Sequence, residues 1–193
     1  CFTDFDGDRK NTLTYAQVRD NVLSLASWFK KNGVVKGDCI AVSGKNSPEW
    51  GTVYLAGMFA GAVVCPIDYA LHEKEMENLL ATAKPKFFFV DEEKYGHFES
   101  GSFDFEVCSL NPKFPEKYAY SLKSDAEVDG HAISEDDLAV ILFTSGTTGT
   151  PKGVMLTHKN LVSDTYIAQT RMYLSEKDVF YALLPIHHAY TMQ

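Results

Sequence analysis

The first long segment with a clear hydrophobic pattern, residues 14–31, has apolar residues at helical spacing. Thr14 and Gln17 have the spacing of a capping box, and Gly33 follows two lysines and an asparagine. The apolar face is formed by Val18, Val22, Leu25 and Phe29. The pattern predicts an amphipathic core helix.

Three nearly uninterrupted apolar runs follow, which is typical of strands buried on both faces: residues 38–44, 62–67 and 86–90. Helical patterns separate these runs. Residues 46–61 place Ser47 at a helix N-cap, with proline next. Residues 71–85 predict an amphipathic helix that must end before Pro85. This alternation predicts an α/β layered fold, with a mostly parallel sheet and helices packed on its faces.

The pattern is weaker in residues 91–132, where residues 103–110 alternate as in a half-buried strand and the polar stretch that follows, up to His131, predicts mostly connection. The charged runs at 91–94 and 134–137 are typical of solvated surface. Further strands are then predicted at residues 138–143, 153–158 and 179–184, with a helix from about residue 160 to residue 171.

The overall charge argues against one class of function. Lys and Arg number 18 against 26 Asp and Glu, which gives a formal net charge of -8. Such a chain is not expected to bind nucleic acid or anionic lipid non-specifically. Any phosphate site must therefore be local.

The four cysteines, Cys1, Cys39, Cys65 and Cys108, show no CxxC pair and no metal-ligand spacing. This argues against a zinc site and a disulfide framework and favours a reducing, cytoplasmic location, with peripheral membrane attachment of the parent protein left open. Cys39 and Cys65 lie in apolar runs and are interpreted as small core residues, with a reactive thiol as the alternative.

Residues 50–67 carry no charge and are long enough to suggest a membrane span. Three glycines, a proline and the acidic flanks Glu49 and Asp68 favour a buried helix and a buried strand instead. No basic segment precedes an apolar stretch at the N-terminus. Neither a transmembrane segment nor a signal peptide is predicted.

The segment TSGTTGTPKG, residues 144–153, has the composition of a phosphate-binding loop. Its three glycines allow consecutive backbone N–H groups to point inward as an anion-binding nest. Its hydroxyl side chains add donors, and Lys152 adds a positive charge on a flexible stem. The loop is therefore predicted to hold a polyphosphate.

A Walker loop does not fit this segment. Counted from Gly146, that motif needs glycine at the position of Pro151, and the pattern after the loop predicts a strand instead of a helix. The dipole of a helix N-terminus is therefore not expected to help bind phosphate here.

The segment TSGTTGTPKGVMLTH resembles the phosphate-loop signature of the adenylate-forming enzymes, the superfamily of acyl-CoA synthetases, peptide-synthetase adenylation domains and firefly luciferase. Three further segments match in the family's order: LTYAQV at 13–18, AGAVVCPID at 60–68 and LPIHHAYTM at 184–192. The resemblance implies that residues 1–193 are the N-terminal part of the large AMP-binding domain of an acyl-CoA synthetase-like fold.

The resemblance implies a two-step reaction, in which a carboxylate attacks the α-phosphate of Mg-ATP and the thiol of coenzyme A then displaces AMP. ATP, Mg²⁺ and coenzyme A are thus the expected cofactors. The residues implied at the ATP phosphates are Thr144, Ser145, Gly146, Thr147, Thr148, Gly149 and Lys152. Thr144 is expected beside the metal, and Lys152 is expected to act catalytically on the departing phosphates.

The histidine pair follows Pro185 and is expected beyond the carboxyl ends of the strands. In the family a His or an aromatic residue lies there beside the acyl carboxylate. This implies a catalytic and substrate role for His188, whereas His187 is either a substrate contact or an uninvolved side chain. A His pair in place of Phe-Asp disfavours an amino-acid substrate, and the segments SGKNSPEW and FFFVDEEKY resemble ligases of fatty acids.

These 193 residues lack several parts of the family's active site, namely the Tyr-Gly-x-Thr-Glu motif, a hinge and a C-terminal domain with its catalytic lysine. The expected parent is an AMP-forming acyl-CoA ligase, and the segment alone is expected to be inactive. An amino-acid adenylation domain, a kinase-like phosphotransferase and a non-catalytic nucleotide-binding relative stay open as alternatives.

Overall fold

The computed structural model describes residues 2–6, 9–125, 133–144 and 152–188. An N-terminal hairpin is formed by β1 (Phe2–Asp6) and β2 (Arg9–Leu13). The main sheet is formed by β3 (Cys39–Ser43), β4 (Val63–Pro66), β5 (Phe87–Val90), β6 (Glu106–Ser109), β7 (Leu138–Thr144) and β8 (Lys152–Thr157). The helices are α1 (Tyr15–Lys31), α2 (Pro48–Phe59), α3 (Glu73–Ala83), α4 (Glu92–Ser100) and α5 (His158–Met172).

The main sheet has the strand order β6-β5-β3-β4-β7-β8. All neighbouring strands pair in parallel except β7 and β8, which are antiparallel. Helices α1 and α2 pack on one face, and α3 and α4 pack on the other. The structure thus confirms the α/β fold class with a mostly parallel sheet.

Local signals explain where the first helices begin and end. The hydroxyl of Thr14 accepts the backbone N–H of Gln17, and the Gln17 side chain accepts the N–H of Thr14, which completes the predicted capping box. At the start of α2 the hydroxyl of Ser47 accepts the backbone N–H of Trp50. Helix α3 ends before Pro85, and Lys84 has the left-handed conformation common at helix C-termini.

The aromatic run of β5 shows how one strand fills two cores. Phe87 and Phe89 face α1, where the ring of Phe89 meets that of Phe29 edge-on at a centroid distance of 5.8 Å. Phe88 faces the opposite layer and packs against Phe98 of α4. A strand buried on both faces needs apolar residues at every position, which accounts for the unbroken run.

The uncharged segment at residues 50–67 divides into α2 and β4, as predicted. Trp50 and Val53 of the helix are buried in the core. None of the described helices combines the length and the apolar character needed to cross a membrane.

One element was missed and one expectation was wrong. Helix α4, which is anchored by the buried aromatics Tyr95 and Phe98, was not predicted, although Glu92 and Glu93 in its first turn are exposed as expected. Residues 179–184 do not form a strand. In the described chain no strand lies beside them to accept their backbone hydrogen bonds, and a lone extended segment is not stable as a strand. Their exposed apolar side chains are Val179, Phe180, Tyr181, Leu183 and Leu184.

Candidate functional site

The candidate site lies at the carboxyl edge of the parallel strands, where β3, β4 and β7 are neighbours. β3 leads to a helix on one face of the sheet, and β4 leads to a helix on the other. Two adjacent strands whose connections leave in opposite directions open a crevice at their carboxyl ends, which is where open α/β sheets bind ligands. The strand order therefore indicates a ligand site at the carboxyl ends of β3 and β4.

Asn46, in the loop after β3, holds the segment that carries the histidine pair. Its amide nitrogen donates to the carbonyls of Ala182 and Leu184 at 2.9 and 2.8 Å. Its amide oxygen accepts the backbone N–H of Ile186 at 2.7 Å. The Ile186 side chain also packs against the core on the α1–α2 face. These contacts replace the strand that was expected to bring the histidines to this edge.

The loop that carries Asn46 is hydrogen-bonded to the residue that precedes α4. Asp91, directly before that helix, accepts the backbone N–H of Lys45 at 2.7 Å. Burial raises the pKa of Asp91, although this hydrogen bond opposes the shift. A Cβ added at Gly44 would meet the Asp91 carboxyl group at less than 3 Å, so glycine permits this close approach.

His187 lies against the loop that follows β4. Its Nε2 is 3.3 Å from a carboxylate oxygen of Asp68, and its ring meets that of Tyr69 edge-on. The side chain is 13% exposed, and its buried Nδ1 has no hydrogen-bond partner among the described residues. Burial lowers the pKa of His187 and nearby His188 lowers it further, whereas Asp68 raises it. These effects favour a neutral ring at neutral pH.

His188 lies in a different environment from its neighbour. It is exposed, and its backbone N–H donates to the carbonyl of Pro185 at 3.0 Å. The side-chain contact with the loop after β4 is therefore made by His187, whereas His188, the better match to the family's substrate position, is the exposed member of the pair.

The phosphate-loop segment connects the two antiparallel strands β7 and β8. Thr144 and Lys152 are directly opposite each other in the register, so the strands bring both ends of the loop together. The five expected phosphate contacts between them, Ser145, Gly146, Thr147, Thr148 and Gly149, lie outside the described residues. The loop leads into a strand, which confirms that no helix N-terminus follows it.

The ammonium group of Lys152 is exposed, and no carboxylate of the described residues lies within salt-bridge distance of it. The backbone beside it is closely packed, because a Cβ at Gly153 would lie 2.8 Å from Ile141 of β7. Lys152 is thus an exposed cation at the first position of β8, directly opposite Thr144. Within the described ranges, no three His, Cys, Asp or Glu side chains form a metal-binding cluster.

Sequence reasoning missed Asn46 and Asp68. Asp68 was noted only as an acidic flank of an apolar segment and as the end of the matching segment at 60–68, although the first polar residue after a buried parallel strand is a useful signal for this edge. Asn46 lies in a segment, SGKNSPEW, that was noted only for its resemblance. Its contacts reach 136 to 140 positions along the chain, beyond any local pattern.

Comparison with known proteins gives consistent matches. The 4-coumarate–CoA ligase CCL1 of Humulus lupulus is 30% identical over 203 residues, which cover 97% of this chain and 36% of that protein. The putative acyl–CoA ligase YdaB of Bacillus subtilis is 31% identical, over 92% of this chain and 37% of that protein. The crystal structure of ATP-bound MatB from Rhodopseudomonas palustris superposes with a TM-score of 0.81 at 29% identity, over 94% of this chain and 37% of that one.

The chain thus spans little more than a third of the length of these relatives. The sequence profile of the AMP-binding enzymes matches it from residue 1 to residue 193. Together with the phosphate-loop hairpin and the fold, this match shows that the chain belongs to the AMP-binding enzyme family.

Proposed function

We propose that residues 1–193 form the N-terminal part of the large AMP-binding domain of an AMP-forming acid–thiol ligase whose acid is a fatty acid. In the first step a carboxylate oxygen attacks the α-phosphorus of ATP, giving an acyl-adenylate and pyrophosphate. In the second step the thiol of coenzyme A attacks the acyl carbon and AMP leaves.

The observation that carries this proposal is the placement of Thr144 and Lys152 opposite each other at the end of β7. The neighbouring strand β4 ends beside Asp68 and His187. A cation and a hydroxyl group at the loop's mouth suit the phosphates of ATP, and the crevice beside them suits the carboxylate. Holding two reactants in fixed orientation is the main requirement of such a reaction.

Each cofactor has a proposed partner in this chain. Lys152 neutralises charge that develops on the departing pyrophosphate, in the manner of a preorganised electrostatic group. The hydroxyl of Thr144 would supply one oxygen ligand to Mg²⁺, which usually keeps several waters and binds through few protein groups. The ion would stabilise negative charge on the phosphates.

The two histidines take different parts in the proposal. His188, exposed at the carboxyl edge, lies beside the acyl carboxylate and orients it. His187 forms the wall behind it, where a neutral ring avoids placing a buried charge in the crevice. The fatty-acid preference is supported by the resemblance of the LPIHHAYTM segment and by the His pair in place of Phe-Asp.

The proposed place within a larger domain is supported by the surface around β8. Helix α5 buries none of its described side chains, and it exposes large apolar groups including Val162, Tyr166 and Ile167. Exposed apolar area of this extent is typical of a face that another part of a protein covers. We therefore expect the 193 residues alone to be inactive. The free thiols at Cys39, Cys65 and Cys108 support a cytoplasmic location.

The experiment is an AMP-release assay on the full-length natural protein with ATP, Mg²⁺ and coenzyme A. The acids compared are fatty acids of increasing length, 4-coumarate and the amino acids. The highest kcat/KM with a fatty acid supports the proposal. The highest value with 4-coumarate keeps the ligase and overturns the fatty acid. AMP formation with an amino acid and with no other acid overturns the ligase assignment.

A further inference from the structure

Two of the three described cysteines are in direct contact across neighbouring strands. Cys39 is the first residue of β3, and Cys65 lies in β4 opposite Ala41. Because side chains alternate along a strand, Cys39 and Cys65 project from the same face of the sheet. Their sulfur atoms are 2.9 Å apart, with Cys39 as the thiol donor and Cys65 as the acceptor.

This separation is short for two thiols and longer than the disulfide bond length of about 2.05 Å. The strands that carry the two residues are held in register by the ladder between β3 and β4. The two sulfurs therefore already lie close to bonding distance.

The two thiols differ in access, as an attacking and a resolving cysteine do. Cys65 is fully buried in the core that also contains Met76 and Leu80. Cys39 is a partly exposed residue and is the more accessible of the two. Cys108, on β6, is buried in the core on the other face and serves as a comparison.

We propose that Cys39 and Cys65 form a reversible disulfide when the protein meets a peroxide. The sulfur of Cys39 attacks hydrogen peroxide, the O–O bond breaks, and a sulfenic acid and one water form. The sulfur of Cys65 then attacks the Cys39 sulfur, the S–O bond breaks, and a second water leaves with the Cys65 proton. The two thiols lose two electrons and two protons, and the peroxide is reduced.

The bond joins β3 to β4, the two strands whose carboxyl ends lead to Asn46 and Asp68. It closes a covalent loop that contains the whole of α2. A dithiol reductant reverses it by thiol–disulfide exchange. Formation of this bond requires only the two thiols and a peroxide, whatever acid the parent protein activates.

The rate of the reaction has an expected pH dependence. The hydrogen bond to Cys65, together with burial, raises the pKa of the Cys39 thiol. The thiolate is the reactive form, so oxidation is slow at neutral pH and accelerates as the pH rises. Asp38 also raises the pKa of Cys39.

The experiment treats the full-length natural protein with hydrogen peroxide, blocks the remaining thiols with iodoacetamide after unfolding, and maps tryptic peptides without reduction. Trypsin separates the three thiols, because Cys39 lies in peptide 37–45, Cys65 in peptide 46–74 and Cys108 in peptide 95–113. The expected product is peptide 37–45 linked to peptide 46–74, which dithiothreitol separates again.

Two variants control for the origin of this product. Cys108→Ser is expected to keep the linked pair at the wild-type yield. Cys39→Ser is expected to lose it and to leave Cys65 available to iodoacetamide after unfolding. Recovery of both Cys39 and Cys65 as alkylated thiols from the treated wild-type protein would overturn the proposal. So would a link from either residue to Cys108 in place of the expected pair.

Discussion

Asn46 accepts a 2.7 Å hydrogen bond from the backbone N–H of Ile186, a residue 140 positions further along the chain. The same side chain donates to the carbonyls of Ala182 and Leu184. One side chain after β3 therefore fixes the path of the segment that ends in the histidine pair. Residues 179–184 form no strand, so these hydrogen bonds are what hold the histidine pair at the candidate site.

The first prediction tests this contact at Ile186. Asn46→Asp keeps an acceptor for the Ile186 N–H but loses both donated bonds, whereas Asn46→Ala loses all three. Each lost bond is worth about 1 kcal/mol. Hydrogen exchange at the Ile186 amide should therefore stay slow in wild type and in Asn46→Asp and become fast in Asn46→Ala.

A matched control for that measurement is Asn32→Ala. It also removes a bond from a side-chain amide to a carbonyl, that of Trp28, but at the C-terminal end of α1. It should leave exchange at Ile186 unchanged. Equal protection of Ile186 in wild type and Asn46→Ala would contradict the role given to Asn46.

The second prediction concerns the protonation of His187. In the folded protein its pKa lies below the ordinary value of 6.5, mainly because of burial. The ring should titrate below 6.5 by NMR, with its signal assigned from its loss in His187→Gln. In Asp68→Asn the favourable carboxylate is gone, so the pKa should fall further. A midpoint at or above 6.5 in the wild type would contradict the buried placement of the ring.

The same shift has a consequence for stability. Between the folded pKa of His187 and 6.5, the unfolded chain binds more protons than the folded chain. The contribution of His187 to the free energy of unfolding is therefore present above pH 6.5 and is lost as the pH falls through this window. The free energy of unfolding, measured by denaturant titration, should rise more steeply with pH in the wild type than in His187→Gln within this window. Outside the window the two slopes should be equal.

The third prediction uses two glycines in helices with opposite surroundings. A Cβ at Gly57 of α2 would lie 2.8 Å from the Cγ2 atom of Val64, so Gly57→Ala should lower the free energy of unfolding by about 1–3 kcal/mol. Gly96 of α4 has open space around it, so Gly96→Ala should raise stability by about 0.5–1 kcal/mol. Urea unfolding of both variants checks the signs, and shifts in the same direction would count against the packing of α2 on β4.

The elements that were predicted correctly depend on nearby residues. Helix α1 shows its boundaries through Thr14 and Gln17, and β5 shows its burial through an unbroken aromatic run. Helix α4 was not predicted, because its two buried aromatic residues, Tyr95 and Phe98, lie in a mostly polar segment that begins with charged residues. Its pattern is too short and too polar for a clear helical period.

The errors and omissions at the site arise from contacts between distant residues. A strand at 179–184 fits the local hydrophobicity, but a strand also needs a neighbour, and the described sheet places none there. The contact of Asn46 with the backbone at 182–186 and that of Asp68 with His187 are products of the strand order. The phosphate-loop segment was recognisable because its glycines, hydroxyls and lysine are contiguous.

The most direct measurement of the central claim is carboxylate-dependent exchange of pyrophosphate into ATP by the full-length natural protein carrying Lys152→Ala. Loss of one preorganised charge at the phosphates should lower the exchange rate by about 100-fold. Lys159→Ala, which removes an exposed lysine paired with Glu135, is the matched control and should keep the wild-type rate. A strong loss in Lys152→Ala alone is the predicted result, and unchanged exchange in that variant would contradict the claim that this loop holds the phosphates of ATP.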